Sequence, residues 1–256
     1  MAIERPQELP VLPSDRDIAA LLAPTGVLRA GINLSNFLLV SSRAANGDPV
    51  GVAPDMARAV ADRLGIPVRY VPYPKPSELA DAVGADAWDI GLIGAEPARA
   101  EVIDFTQAYC EIQSTYLVPP GSTLHAIADI DRPGIRIAVA ARTAYGLWLD
   151  RNIHHATIVH AEGLDASFDL FVRDKLDALA GLRPKLLSEV ERLPGARILE
   201  SQFAAVQQAI GTPRGRDPKA AAFLQTFVAD AIASGLVARL IDQHHVQGLS
   251  VAGATP

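Results

Sequence analysis

The stretch from Asp89 to Val118 holds the residues with the clearest chemical potential in the chain. It reads DIGLIGAEPARAEVIDFTQAYCEIQSTYLV, in which a short apolar strand ends in a turn and Arg99 follows within the next helical turn. A guanidinium beside the carboxyl end of a strand can hold a carboxylate by two parallel hydrogen bonds, and open α/β sheets gather ligands at that edge. Arg99 would equally serve as a solvated helix residue, so its chemistry depends on where the fold places it.

Other chemical signatures are absent from the sequence. It contains no nucleophile elbow, phosphate loop, dinucleotide glycine fingerprint or zinc-protease helix motif. The six histidines include the pairs His154-His155 and His244-His245, but neighbours in sequence point to different sides of a helix and cannot chelate one ion together. We therefore expect neither a metal site nor a cofactor.

Composition narrows the class of protein. The 256 residues are 49% apolar, and 23 basic against 29 acidic residues give a net charge of −6. A sizeable core is expected, whereas electrostatic binding of nucleic acid is not. Apolar runs fall well short of the roughly 18 to 20 residues that a bilayer requires, so no membrane-spanning segment is predicted. The single cysteine, Cys110, cannot form an internal disulfide and is expected to be a small buried hydrophobe.

The elements that must position Arg99 alternate between β-branched apolar runs and helical patterns. This alternation is typical of βαβ units and a largely parallel sheet, so the predicted fold class is α/β. Helix ends are marked by Gly65, by Ser77 as a cap, by Pro184 in a first turn, and by the pair Asp217-Pro218. Strands are predicted over residues 27–33, 66–73, 90–93, 112–118, 135–140, 156–161, 176–180 and 205–211.

The order of these elements predicts two α/β lobes. Residues 1–25 form an arm and a short helix, capped by Ser14 or Asp15. Residues 26–117 plus 212–248 form lobe 1, residues 118–211 form lobe 2, and residues 249–256 form a frayed tail. Two connecting segments, near residues 117–121 and 208–214, imply a hinge.

The amino terminus carries acids and prolines where a secretory leader needs a basic start and an apolar run of about 7 to 15 residues. As written, the sequence predicts a cytoplasmic protein. A periplasmic protein is the alternative if a leader has been removed.

The order of motifs resembles the bacterial extracellular solute-binding proteins of amino-acid ABC transporters, family 3, from about Gly26 to about His245. The resemblance implies a periplasmic-binding-protein-like (type II) clamshell, in which two lobes joined by two crossing hinge strands close on a small solute. The motifs that carry it are Leu28-Arg29-Ala30-Gly31, Gly51-Val52-Ala53-Pro54-Asp55-Met56-Ala57, Arg63-Leu64-Gly65, Asp89-Ile90, Arg99, Ile103-Asp104-Phe105-Thr106, Tyr109 and Ile137-Ala138-Val139.

In lobe 1 the resemblance places the family's carboxylate-binding arginine at Arg99, beyond the strand that ends at Gly94. Glu96 stands where the family has threonine, and Asn33 stands where it has an acid. Two aromatic walls of the family's site fall on Asn36 and Pro76, with Phe37 and Tyr73 close enough to substitute.

In lobe 2 the acid that holds an α-ammonium group in the family falls on Leu182, next to Gly181. The family's glycine-threonine turn reads Ala141-Arg142-Thr143-Ala144. Because a buried ammonium without a carboxylate partner costs several kcal/mol, ordinary α-amino acids are poor candidate ligands.

A carboxylate-bearing or otherwise anionic solute is favoured if Arg99 and Arg142 both face the cleft, with Asn33 and Thr143 as neutral partners. Arg142 could instead be an exposed turn residue. Glu96 has three open roles: it could pair with Arg99, bind a ligand amine, or face solvent.

The leading hypothesis is a non-enzymatic solute-binding protein, monomeric, with an ABC-transporter permease as its possible partner and neither nucleic acid nor a membrane span. An intracellular sensing or scavenging role replaces the permease if the protein is not exported. A second hypothesis is a lyase similar to cyclohexadienyl dehydratase, a relative of this family, with Glu96 as its acid or base. A third is a degenerate member without a small-molecule ligand.

Overall fold

The computed structural model describes residues 15–253, with side chains from residue 17 onward. The predicted arm, its possible cap Ser14 and the last three residues lie outside this range. The helices are α1 Asp15–Leu22, α2 Val52–Leu64, α3 Pro76–Asp81, α4 Pro97–Ala100, α5 Ala144–Asn152, α6 Leu164–Arg173, α7 Arg183–Arg192, α8 Pro218–Ala233 and α9 Leu236–Gln243. The strands are β1 Leu28–Asn33, β2 Ser42–Arg43, β3 Pro49–Val50, β4 Val68–Tyr73, β5 Ile90–Gly94, β6 Ile103–Val118, β7 Arg136–Ala140, β8 Thr157–Ala161, β9 Ala178–Leu182, β10 Arg197–Ile198, β11 Ala204–Pro213 and β12 Ser250–Val251.

The chain divides into two compact units. Unit 1 comprises residues up to 110, residues 208–246 and residues from 250 onward. Unit 2 comprises residues 111–207 and 247–249. The chain therefore passes from one unit to the other within β6 and again within β11.

In unit 1 the strand order is β4-β1-β5-β11, with β4, β1 and β5 parallel and β11 antiparallel to β5. The connection β1-α2-β4 runs toward one sheet edge, and β4-α3-β5 runs back across β1. Because such crossovers are right-handed, α2 and α3 cover opposite faces of the sheet. On the α3 face, Leu79, Trp88, Ile93 and Ile103 form a buried cluster.

Buried charges close the amino-terminal end of this sheet. The carboxylate of Asp89 is fully buried and accepts hydrogen bonds from the backbone N–H, Nε and Nη2 of Arg29 at 2.7–3.1 Å. Nη2 of Arg216 donates to the same carboxylate at 3.0 Å. Arg29 also binds the exposed carboxylate of Asp86 at 2.8 Å, which holds the pKa of Asp86 below its usual range. This network lies at the opposite end of the strands from Gly94.

In unit 2 the strand order is β6-β9-β7-β8, with β9, β7 and β8 parallel and β6 antiparallel to β9. The connections β7-α5-β8 and β8-α6-β9 run in opposite directions, so α5 and α6 cover opposite faces. Before this sheet, the carboxylate of Asp131 accepts hydrogen bonds from the backbone N–H groups of His154, His155 and Ala156 at 2.7–3.1 Å.

Local helix signals in the sequence are confirmed at several ends. Gly65 has the left-handed conformation (φ 68°) that ends α2, Asp217 caps α8 by accepting from the N–H of Lys219, and Pro184 lies in the first turn of α7. The prediction for Ser77 is wrong, because α3 begins one residue earlier at Pro76, which suits a first helical position.

Strand boundaries differ more from the sequence predictions. β6 is continuous from Ile103 to Val118, whereas the sequence predicted a strand over residues 112–118 that was preceded by a separate strand-like segment, Asp104-Phe105-Thr106. β9 lies two residues further along the chain than predicted. Residues 250–251, expected to fray, pair with β6 as β12, because the edge of β6 offers unpaired backbone groups there.

In the described part of the chain, no single helix is long and apolar enough to cross a membrane. Within that part, only α8 and α9 taken together have the length and composition of a membrane span, and they are bent by 67° at the break between them.

Candidate functional site

The carboxyl ends of three parallel strands meet along one edge of unit 1. Asn33 ends β1 directly opposite Tyr73 at the end of β4, and Ile32 of β1 is paired with Leu92 of β5, two residues before Gly94. The structure therefore brings Asn33, Tyr73 and Gly94 to the edge at which open α/β sheets bind ligands.

Arg99 is fixed at this edge. Pro97 starts the short helix α4 directly after β5, and this helix carries Arg99 back toward the strand end. Its side chain is buried, with the residue only 5% exposed, and Nη1 donates to the carbonyl oxygen of Gly94 at 2.7 Å. A solvated Arg99 is thereby excluded. The guanidinium is a positive charge held in position at the end of β5.

Glu96 immediately precedes α4 in extended conformation (φ −147°, ψ 140°), and its carbonyl accepts from the N–H of Ala100 at 2.9 Å. The residue is 7% exposed, so the solvent-facing role open in the sequence does not apply. Pairing with Arg99 and binding of a ligand group remain as its two roles. A buried carboxylate three residues before a buried guanidinium gives this edge both an acidic and a basic group.

The loop after β1 uses two of its amides for its own turns. The Oδ1 atom of Asn33 accepts from Oγ and N–H of Ser35 at 2.8 and 3.2 Å, and Oδ1 of Asn36 accepts from the N–H of Leu38 at 3.3 Å. Asn36 is buried, whereas Phe37 is 41% exposed. Phe37 is therefore the side chain of this loop that is available to contact a solute.

Tyr73 reaches the same edge but packs against the cluster around Leu79 and Trp88 on the α3 face. Burial raises the pKa of its phenol. Part of the Tyr73 ring therefore belongs to the core, which leaves less of it to form an aromatic wall of the ligand site.

In unit 2 the corresponding strand ends carry Thr143 and Leu182. Oγ1 of Thr143 accepts from the N–H of Gly146 at 3.1 Å and donates to the carbonyl of Ala140 at 2.9 Å, so this hydroxyl caps α5. Leu182 is 8% exposed and ends β9 opposite Ser114. Tyr145, in the first turn of α5, is buried, and this burial raises its pKa to about 12 although the hydrogen bond with Thr143 acts in the other direction.

Arg142 precedes the α5 cap and is exposed, with a left-handed backbone (φ 55°) that non-glycine residues seldom adopt. This position is compatible with both of its predicted roles, ligand binding and an exposed turn.

One residue of the unit 1 edge was missed by sequence reasoning. Gln208 in β11 is paired with Gly94 and is only 4% exposed. The only signal in the sequence is the doublet Gln207-Gln208 inside an otherwise apolar strand. Within residues 17–253, no three His, Cys, Asp or Glu side chains are grouped so that they could hold a metal ion.

Comparison with known proteins places this geometry in context. The sequence model of the bacterial extracellular solute-binding proteins, family 3, matches residues 28–247. No curated protein matches the chain.

Among solved structures, a P235GK mutant of ArgBP from T. maritima is similar with a TM-score of 0.70 at 18% identity, covering 90% of this chain and 100% of that one. An ABC-transporter binding component from Wolinella succinogenes, complexed with lysine, gives 0.70 at 17% identity and covers 85% and 95%. The ancestral amino acid-binding protein AncCDT-1, described as a precursor of cyclohexadienyl dehydratase, gives 0.69 at 20% identity and covers 89% and 98%. These likenesses show that the fold is that of type II periplasmic binding proteins.

Proposed function

The chain belongs to the bacterial extracellular solute-binding proteins, family 3, and from this premise we propose that it binds a small carboxylate-bearing solute through Arg99. The observation that carries the proposal is the buried guanidinium anchored on the carbonyl of Gly94. A fixed planar guanidinium suits bidentate binding of a carboxylate and cannot lose its charge near neutral pH.

The proposal excludes a dependence on an α-ammonium group. Leu182, an apolar residue, ends β9, so it supplies no carboxylate to such a cation. The solved relatives include proteins described with lysine, but identities below 25% transfer only the fold. We propose instead that a neutral part of the ligand contacts Phe37 and that an anionic part contacts Arg142.

We further propose that both units contribute to binding and that the chain bends within β6 and β11 as the ligand is enclosed. Support comes from the family and from the passage of the chain between units in these two strands. Small-angle X-ray scattering should then show a smaller radius of gyration in the presence of ligand. A permease partner, a monomeric state and a periplasmic location are expectations from the same family.

The test of the proposed function is a thermal-shift and calorimetric series with glutarate, 2-oxoglutarate, 3-phenylpropionate and phenylpyruvate, with L-lysine and putrescine as cationic probes. We expect at least one acid to stabilise the wild type and Arg99→Gln to weaken its binding at least roughly 10-fold, because a charge-assisted bond is worth about 1.5–3 kcal/mol. Arg214→Gln is the matched control, since Arg214 is half exposed and pairs with Asp104 at 3.2 Å.

Stabilisation by putrescine alone would contradict the carboxylate proposal. Failure of every probe would favour a degenerate member of the family.

A lyase remains the second candidate function, supported by the buried carboxylate of Glu96 close to Arg99 in sequence and fold. A carboxylate beside a substrate-binding guanidinium could move a proton in an elimination. Incubation with prephenate or arogenate decides between the two: turnover that disappears in Glu96→Gln indicates catalysis, whereas binding without turnover indicates a solute-binding protein.

A further inference from the structure

We infer that residues 247–252 form a strap that limits the bending of the chain between the two units. The inference rests on the proposed bending within β6 and β11, and it adds a third connection that controls the range of that bending. It is carried by the path of the chain, by the anchors of this segment in each unit and by the close packing of Gly248.

The carboxyl-terminal segment passes between the units twice within a few residues. Residues 208–246 belong to unit 1, residues 247–249 belong to unit 2, and the residues from 250 onward belong to unit 1 again. A chain spans at most about 3.3–3.6 Å per residue, so the three residues of this excursion bridge only about 10 Å. Because the excursion is so short, its ends cannot both stay in place when the units move by more than its slack.

The excursion is tied down in unit 1 on both sides. Before it, at the end of α9, Nε2 of His244 lies 2.7 Å from Oδ2 of Asp55 in α2, and both side chains are largely buried. After it, β12 pairs with the edge of β6, and the N–H of Ala252 donates to the carbonyl of Tyr109 at 3.1 Å. Movement of the excursion therefore has to break one of these contacts or the contact in unit 2.

In unit 2 the strap is held at the start of α7. Gly248 has a left-handed backbone (φ 83°), and a Cβ atom there would lie 2.3 Å from Cγ and 3.2 Å from Cβ of Pro184. The following residue, Leu249, is buried. Since the proline ring is stiff, the strap fits against α7 only with glycine at position 248.

Arg183 makes this start of α7 a rigid anchor. Its Nε donates to Oε1 of Gln113 in β6 at 2.9 Å, and its Nη2 donates to the carbonyl of Leu199 at 3.1 Å. Pro184 itself follows the end of β9 at Leu182 by two residues. The strap is therefore attached to unit 2 beside a strand end of the candidate site.

The consequence concerns ligand affinity. With the strap in place, the free protein samples a narrow range of arrangements of its two units. It then gives up less conformational entropy when a ligand is enclosed, so the ligand binds more tightly than it does to a chain whose strap is released.

The experiment measures the distance between two spin labels by pulsed electron paramagnetic resonance. The labels are attached at Lys219→Cys in α8 and Glu191→Cys in α7, one exposed residue in each unit. The native Cys110 is buried and should stay unlabelled. The width of the distance distribution reports the range of arrangements without any ligand.

Gly248→Ala releases the strap, because its Cβ atom clashes with the ring of Pro184. Gly253→Ala is the matched control, since Gly253 also has a left-handed backbone (φ 73°) but nothing within 4 Å of an added Cβ atom. We expect a broader distance distribution in Gly248→Ala than in the wild type and in Gly253→Ala. Adding Pro184→Ala removes Cγ and leaves the contact of 3.2 Å with Cβ, so the double variant should return towards the wild-type width.

Deletion of residues 247–256 releases the strap independently and should broaden the distribution as well, with circular dichroism verifying that each variant is folded. A wild-type width in both Gly248→Ala and the deletion overturns the strap. Equal broadening in Gly248→Ala and Gly253→Ala also overturns it, because backbone strain would then be the cause.

Calorimetry with 2-oxoglutarate and phenylpyruvate measures the effect on affinity. If release lowers the binding-competent fraction of the free protein to about a third, the apparent Kd of Gly248→Ala rises about 3-fold, while Gly253→Ala keeps the wild-type value. An unchanged Kd in a broadened Gly248→Ala overturns the effect on affinity. A wild type that binds neither acid counts against the proposed function, whereas the distance measurement decides on the strap without a ligand.

Discussion

Gly51 joins β3 to α2 at a point where the backbone leaves no room for a side chain. Its φ of 150° is outside the range that most L residues adopt. A Cβ atom there would lie 2.3 Å from the carbonyl oxygen of Leu39 and 2.9 Å from Cα of Val40. Both are backbone atoms in the loop that carries Phe37, so the clash cannot be relieved by rotating a side chain. We therefore expect Gly51→Ala to destabilise unit 1.

The size of the effect follows from two contributions. An unfavourable backbone conformation costs about 1–3 kcal/mol, and overpacking against fixed atoms costs about 1–3 kcal/mol. Together they predict a loss of about 2–5 kcal/mol in the free energy of unfolding, a large share of the roughly 5–15 kcal/mol that a domain has. For a chain of this size the Tm should fall by roughly 4–20 °C.

Thermal unfolding followed by circular dichroism measures this loss, with Gly84→Ala as the matched control. Gly84 lies in a short 3-10 helix with nothing within 4 Å of an added Cβ and no positive φ. Its replacement should be neutral or stabilising by about 0.4–1 kcal/mol, because it reduces the entropy of the unfolded chain. The expected shifts exceed the resolution of such a scan, which is about 2 °C. If Gly51→Ala and Gly84→Ala unfold within about 2 °C of each other, the loop does not pack rigidly against α2.

Two further predictions concern charges away from the site. Asp89→Asn should lower the free energy of unfolding, measured in urea, by about 3–5 kcal/mol, because Arg29 and Arg216 lose a buried anionic partner. The control Asp86→Asn changes an exposed carboxylate and should have a small effect, so equal losses in the two variants would contradict the burial argument. Burial opposes ionisation of Asp131, but hydrogen bonds from three backbone N–H groups outweigh it and keep its pKa below the ordinary value, so its stabilisation is present above about pH 4 and disappears as the pH falls. Asp131→Asn should therefore lower the Tm at pH 7 and much less at pH 3 in a pH series of thermal scans, and a loss independent of pH would contradict this assignment.

Local features of the fold were predictable from the sequence. The alternation of apolar runs and helical patterns indicated two α/β segments with parallel strands, and Gly65, Asp217 and Pro184 marked helix ends. These signals work because turn conformation, capping and amphipathic periodicity depend on residues close together in the chain. The same locality explains the errors at β6 and β9, whose limits are decided by the partner strands.

The candidate site was predictable only in outline. The sequence pointed to Arg99, but its burial and its bond to Gly94 depend on the path of α4 after β5. The amide oxygen of Asn33 and the hydroxyl of Thr143 were expected to serve a ligand, yet the structure uses both in local turns and caps. Side chains with several hydrogen-bonding options are assigned by whichever partner the fold brings nearest.

Residue types and their spacing alone determined the class of fold, the net charge and the presence of an arginine after a short buried strand. Tertiary structure decided where each polar side chain lies: Nε2 of Gln207 donates to Oε2 of Glu111, whereas Gln208 is buried opposite Gly94 at the end of β5. Neighbouring glutamines are equivalent in a sequence pattern. They differ in the folded chain because the two sides of a strand face different partners, and those partners come from strands that are distant along the chain.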